Sequence, residues 1–224
     1  MSEDAVKGYP ILLRLAGQRC AVVGGGRVGE RKVIDLLAAG AQITVISPAL
    51  TPALADLAER HTIQVVRDVY TPHILNALQP RLVFAATSST EVNQQVARAA
   101  RDMGILVDVV DSADSGDFTS MAALHRGPVT LAVSTGGASP TLAAHLRERL
   151  ASSIGPEYGT LASWLAELRP LARAQIRSER SRRSLWRAIL ESPALELLRQ
   201  GDEAAARVLI HNLYQEAVNK RQRE

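Results

Sequence analysis

Arg19-Cys20-Ala21-Val22-Val23-Gly24-Gly25-Gly26-Arg27-Val28-Gly29-Glu30-Arg31-Lys32 is the run from which the architecture unfolds. Its first six residues are mostly apolar and end in glycine, which predicts a buried parallel strand over 19–24. Beyond Arg27, Val33, Leu36 and Leu37 share one face at helical spacing and Gly40 stops the run, which predicts a helix over 27–39. Between strand and helix, Gly24 to Gly29 satisfies G-x-G-x-x-G. That pattern is weak alone and informative in this strand–turn–helix setting. Gly24 permits the tight turn, Gly26 lets the backbone approach a pyrophosphate, and Gly29 lets the helix pack closely on the strand. The amides that open the helix then face the phosphates, aided by the helix dipole. The turn therefore predicts an adenine dinucleotide, NAD, held by Gly24, Gly25, Gly26, Arg27 and Val28.

The same alternation continues outward. Strands are expected at 42–47, 62–67, 81–86 and 105–110, and helices at 51–60, 72–78 and about 90–103. Units this short mean βαβ crossovers and a parallel sheet. Residues 112–117 have loop composition. Residues 118–135 read as two strands joined at Arg126-Gly127-Pro128. After Ser139, a fair N-cap, and Pro140, suited to the first helical position, the pattern is helical. The fold class expected is α/β: a Rossmann-type parallel sheet over 1–112, a small β segment over 113–138 and an all-helical domain over 139–224.

An Asp or Glu normally ends the second strand to hold the ribose 2′-hydroxyl. Here Ser47-Pro48-Ala49 stands in its place. Ser47 can make a neutral hydrogen bond to the ribose, and no Arg or Lys stands there for a 2′-phosphate, so the reading leans to NAD. Thr87, just past the strand 81–86, is expected to contact the dinucleotide, and Asn93 to stabilise its loop.

Composition sets outer limits. The chain has 224 residues, 46% apolar and 22% charged, which is ordinary for a folded protein. No apolar run is long enough to span a bilayer, and the polar, acidic start carries no secretory core. One cysteine, Cys20, leaves no internal disulfide and no thiolate cage, and reads as a small core residue. The expectation is a soluble cytoplasmic protein. The five histidines are scattered with no i, i+4 pair, so no metal site is expected. Acidic and basic residues balance over 1–150, and the formal excess of +3 lies in 151–224. That asymmetry suggests that the C-terminal part handles an anion.

Several stretches together resemble one family: Tyr9-Pro10-Ile11, the run from Val22 to Lys32, Ala85-Ala86-Thr87 with Asn93, Val109-Val110-Asp111, Phe118, and Gly127-Pro128 followed by Ala132-Val133-Ser134-Thr135-Gly136-Gly137-Ala138-Ser139-Pro140. Their order and spacing resemble the precorrin-2 dehydrogenase / sirohydrochlorin ferrochelatase family, which also forms the N-terminal module of multifunctional siroheme synthases. The resemblance covers nearly the whole chain and implies a stand-alone version. It implies oxidation of precorrin-2 by NAD to sirohydrochlorin, then insertion of ferrous iron as a second substrate. It also implies a homodimer built through the small β segment, and Asp111 as the catalytic carboxylate. A carboxylate after the strand 105–110 lies where open α/β sheets bind ligands, and can accept the proton released as hydride leaves. Taken without the resemblance, Asp108, Asp111, Asp114 and Asp117 read as a solvated acidic loop. At Phe118-Thr119-Ser120-Met121 the chain departs from the family, where an apolar residue and a proline are usual. That departure bears on the iron-insertion step.

Two further groups complete the expected site. Ser134, Thr135 and Gly136 precede a helix and either bind an anionic substrate group or only cap the helix. Arg169, Arg173, Arg177 and Arg180 fall at i, i+4, i+8 and i+11, on one face of an expected helix. Arg173 and Arg177 are assigned to the carboxylates of the tetrapyrrole, which arginine forks match. The alternative for that face is plain solvation. A rival reading, an NAD-sensing regulator that uses the basic helices on nucleic acid, lacks a clear helix-turn-helix pattern. With aromatics at 4%, it also has few platforms for stacking bases.

Overall fold

The computed structural model describes residues 8–110, 112 and 115–219. They fall into two compact units, 1–120 and 121–224. The first unit holds strands β1 (Arg19–Val23), β2 (Gln42–Ile46), β3 (Gln64–Val66), β4 (Leu82–Ala85) and β5 (Leu106–Val109). Helices α1 (Arg27–Ala38), α2 (Pro52–Glu59), α3 (Pro72–Leu78) and α4 (Thr90–Asp102) connect them. All pairings are parallel, in the order β3-β2-β1-β4-β5. The order reverses between β1 and β4, which is the switch point where open α/β sheets take their ligands.

Alternation along the strands builds two cores. Cys20, Val22, Ile43, Val45, Leu82 and Phe84 pack with Val33 and Leu36 of α1 and Leu54 of α2. Ala21, Val23, Ile46, Val83, Ala85, Val107 and Val109 pack with Leu75 of α3 and Val96, Ala97 and Ala100 of α4. Burial on both faces is why the strands read as continuous apolar runs. Each fully buried Val or Leu contributes about 1.5–3 kcal/mol. Cys20 belongs to this core at 1% exposure, and burial pushes its thiol up to about 11 against the opposing charge of Arg81.

The two edges of the sheet are short or covered. β3 begins at Gln64, not at 62 as expected, because the chain is still turning: His61 has φ 55 and the Thr62 amide bonds back to Leu57 O. Along β5, residues 115–120 return beside the strand. The Asp117 amide donates to Val107 O at 2.8 Å, and the Val107 amide donates to Asp117 Oδ2 at 3.0 Å.

In the second unit, β6 (Ala122–Arg126) and β7 (Val129–Val133) form the expected antiparallel hairpin, turned by Gly127 at φ 53. Helices α5 (Pro140–Ser153), α6 (Pro156–Gln175), α7 (Glu179–Glu191), α8 (Ala194–Arg199) and α9 (Glu203–Asn219) follow. The hairpin turn lies so close to α6 that a β-carbon on Gly159 would stand 2.6 Å from Arg126 O. The helical core gathers Leu161, Trp164, Ile176, Leu185, Ile189, Leu198, Ile210 and Tyr214, with Trp186 against it.

The single arginine face expected over 169–180 is corrected. α6 ends at Gln175, Ile176 turns extended (φ −112, ψ 101) and is buried at 2%, and Ser178 caps α7 through Ser181 N. Arg169 and Arg173 therefore sit on α6, Arg177 lies in the break and Arg180 starts a new helix. Arg182 holds the break by donating to the carbonyls of Ile176 and Arg177 at 2.6 and 2.7 Å. Among the described residues, no helix is long and apolar enough to cross a membrane, and no cluster of metal-ligating side chains occurs.

Candidate dinucleotide site at the carboxyl edge of the sheet

In a parallel sheet an amide bonds the carbonyl one residue before its opposite number. Ser47 N donates to Val66 O, Gly24 N to Ile46 O, Ala86 N to Val23 O and Val110 N to Ala85 O, all at 2.8–3.0 Å. These bonds line up Arg67, Ser47, Gly24, Ala86 and Val110 in one row just past the strand ends.

The glycine turn sits at the centre of this row. Gly24 has φ 117, and a β-carbon there would collide with Ala86 O. Gly25 is buried beneath the 47–50 loop: Thr51 N donates to Gly25 O at 3.0 Å, and a β-carbon would strike Ala49 O. Gly29 lies against the Gly24 carbonyl, which allows α1 its close approach. Gly26 differs, because nothing stands within 4 Å of where its β-carbon would be. No side chain caps α1, and its first internal bond is Glu30 N to Gly26 O. Among the described residues, the amides of Arg27, Val28 and Gly29 thus have no partner. Three unpartnered donors at a helix start, next to the open space at Gly26, are an arrangement suited to an anion such as a pyrophosphate.

The flanking residues have defined states. Arg27 is exposed and Val28 half-buried, while Pro48 is exposed above the row. Ser47 is buried at 8%, and its hydroxyl donates to Ala49 O at 2.7 Å; while that bond holds, its oxygen is left to accept from a donor such as a ribose hydroxyl. Thr87 offers less than expected. Its hydroxyl lies 2.8 Å from Asn93 Oδ1 and 3.1 Å from Ser89 O, and it also accepts from Ser89 N. Asn93, 5% exposed, accepts from the Thr87 amide and donates to the Thr87 carbonyl, each at 3.1 Å. Asn93 therefore stabilises this loop, as its position suggested. Asp111, the expected catalytic carboxylate, lies outside the described residues, as does Asp114.

Two features escaped the sequence. One is Arg67, since strand pairing alone brings a residue twenty positions from Ser47 to its side. The other is a buried ring. Lys32 Nζ donates to Asp108 Oδ2 at 2.9 Å and to Ser120 Oγ at 2.7 Å, and Ser120 Oγ donates to the same Asp108 oxygen at 2.9 Å. Lys32 and Asp108 are 8% and 5% exposed. The ammonium lies 5.1 Å from the Phe84 ring centre, and Phe84 meets Phe118 edge-on at 5.5 Å. The ring ties α1 to β5 and to the returning segment 115–120.

In the second unit, Ser134 Oγ accepts from Gly136 N at 3.1 Å, and Thr135 Oγ1 accepts from Ser139 N at 3.1 Å. Ser139 Oγ in turn caps α5 through Leu142 N at 3.1 Å. The turn is thus bonded within itself. Arg173 and Arg177 are exposed.

A family model described as putative NAD(P)-binding matches residues 11–122, half of the chain. The chain belongs to this family. Models described as sirohaem biosynthesis protein central and sirohaem synthase dimerisation region match 126–153 and 157–213, which is the family resemblance read from the sequence. Among curated relatives, siroheme synthase of Chromobacterium violaceum is 44% identical over 89% of this chain and 42% of its own length. Siroheme synthase of Methylococcus capsulatus is 45% identical over 90% of this chain and likewise 42% of its own. The chain therefore spans less than half the length of these relatives. A solved structure titled SirC, precorrin-2 dehydrogenase, is similar with a TM-score of 0.72 and 26% identity, over 92% of this chain and all of that one. With the family shown, the first unit is an NAD-binding domain.

Proposed function

We propose that the protein oxidises precorrin-2 to sirohydrochlorin with NAD, in siroheme biosynthesis. The observation that carries this reading is the row of strand ends with the three unpartnered amides at its centre. It is supported by likeness to a precorrin-2 dehydrogenase along nearly the whole chain. Bound NAD supplies the hydride acceptor. The amides of Arg27, Val28 and Gly29 hold the pyrophosphate, with Gly24, Gly25 and Gly26 shaping the turn. Ser47 Oγ accepts from a ribose hydroxyl, Pro48 and Thr87 border the site, and the Asp111 carboxylate takes the proton that leaves the substrate. Ser134, Thr135, Gly136, Arg173 and Arg177 are assigned to the carboxylates of the tetrapyrrole. Ferrous iron is the second substrate in a following chelation step. The working protein is a cytoplasmic homodimer, organised as a coenzyme domain (1–112), a dimerising β segment (113–138) and a helical domain (139–224).

The test is anaerobic turnover of precorrin-2 with NAD, followed as NADH and sirohydrochlorin absorbance, with Asp111→Ala beside the parent. Turnover that the variant loses by about 100-fold supports the reading. Tight NAD binding without turnover sinks the dehydrogenase assignment. Added ferrous iron then reports on chelation. The nucleic-acid alternative draws no support from the structure, because the basic face it needs is broken at Ile176–Ser178.

A further inference from the structure

We infer that Arg67 receives a 2′-phosphate, so that the coenzyme site takes NADP as well as NAD. This rests on the reading of the sheet edge as a dinucleotide site, and it names the residue that sets coenzyme choice there. Ser47 stands where the adenosine ribose is held in this fold. The bond from Ser47 N to Val66 O places Arg67 directly opposite Ser47 in the β2–β3 pairing, which continues the register Ile46–Val66. Adjacent strands lie about 4.8 Å apart, well within the reach of an arginine side chain.

Three observations agree with a phosphate at this end. Residues 46–51, Ile-Ser-Pro-Ala-Leu-Thr, contain no carboxylate to repel it. Arg67 is exposed, and among the described residues no ion pair or hydrogen bond engages its guanidinium. Its acidic neighbour, Asp68, is held elsewhere, with its Oδ1 accepting from the Val69 amide at 2.7 Å. The guanidinium fork suits a phosphate, and the Ser47 hydroxyl has reason to swing from its neutral bond with Ala49 O to a charge-assisted one about twice as strong.

The experiment is calorimetric titration of the full chain with adenosine 2′,5′-bisphosphate, 5′-AMP, NADP and NAD, none of which requires turnover. The expected result is bisphosphate binding at least tenfold tighter than 5′-AMP, and NADP binding no weaker than NAD. Arg67→Ala is expected to reduce the bisphosphate-to-AMP ratio at least tenfold. Arg67→Lys should keep part of it, and Ser47→Asp should turn the preference towards NAD. Equal affinity of the parent for the two fragments overturns the inference, as does an unchanged ratio in Arg67→Ala. Failure of all four molecules to bind overturns it too, but by removing the dinucleotide site itself, which the other outcomes leave standing.

Discussion

Removing the carboxylate of Asp108 would leave the Lys32 ammonium buried with only the Ser120 hydroxyl and the Phe84 ring around it. A buried pair broken on one side costs about 3–5 kcal/mol, whereas replacing both partners by apolar residues of similar volume is often neutral. Asp108→Ala is therefore expected to lower the urea midpoint strongly, and Lys32→Met with Asp108→Leu to recover most of the loss. A loss under about 1 kcal/mol in the single variant would mean that the pair behaves as a surface bridge. None of this was legible in spacing. Asp108 recurs with Asp111, Asp114 and Asp117 in what reads as one acidic loop, yet its partner lies 76 residues away. The glycine turn is the opposite case, because strand, turn and helix follow one another along the chain and every cue is local. Arg67 again needed the fold, since a neighbour across two strands leaves no periodic trace.

At the level of helices, α6 and α7 show how a regular charge pattern misleads. The arginines at 169, 173, 177 and 180 keep helical spacing through a point where the backbone does not. Ser178 before Glu179 was an N-cap signal that this spacing obscured. The first turn of α6 carries a second consequence. Glu157 is buried, and Arg199 of α8 donates to its Oε1 through Nε at 3.2 Å and Nη2 at 3.0 Å. A hydrogen bond from its own backbone amide, and then the Arg199 guanidinium, hold its carboxyl below the usual range, against burial that pushes it up. Stability from a lowered carboxylate is fully present above its unfolded value, about 4.3, and is lost as pH falls through the folded one. Glu157→Gln should therefore melt below the parent at pH 7, with the two melting curves converging towards pH 3. A constant gap across that range would show that the charge of Glu157 is not what joins α6 to α8.

Each half of the molecule folds around its own apolar centre, two layers flanking the sheet in 1–120 and one helical core in 121–224. The α/β order and the helical C-terminal part were both readable because short apolar runs alternate with stretches of helical spacing up to β5, whereas helical spacing alone follows Ser139. The sheet's exposed margins were not, as sequence pattern says which residues pair with a core and little about what covers an edge. The returning segment beside β5 matters here. A single residue, Asp117, occupies both the amide and the carbonyl of Val107. Those are the groups that an outermost strand would otherwise present to a strand from another molecule. At concentrations where proteins meet often, Asp117 thus acts as a guard against sticking. Asp117→Ala should leave the freshly purified protein folded by circular dichroism, yet cause light scattering to climb on incubation while the parent stays clear. Equal scattering would mean that the edge is protected by something else. On this view, the colloidal life of the whole protein hangs on one residue at the margin of its sheet.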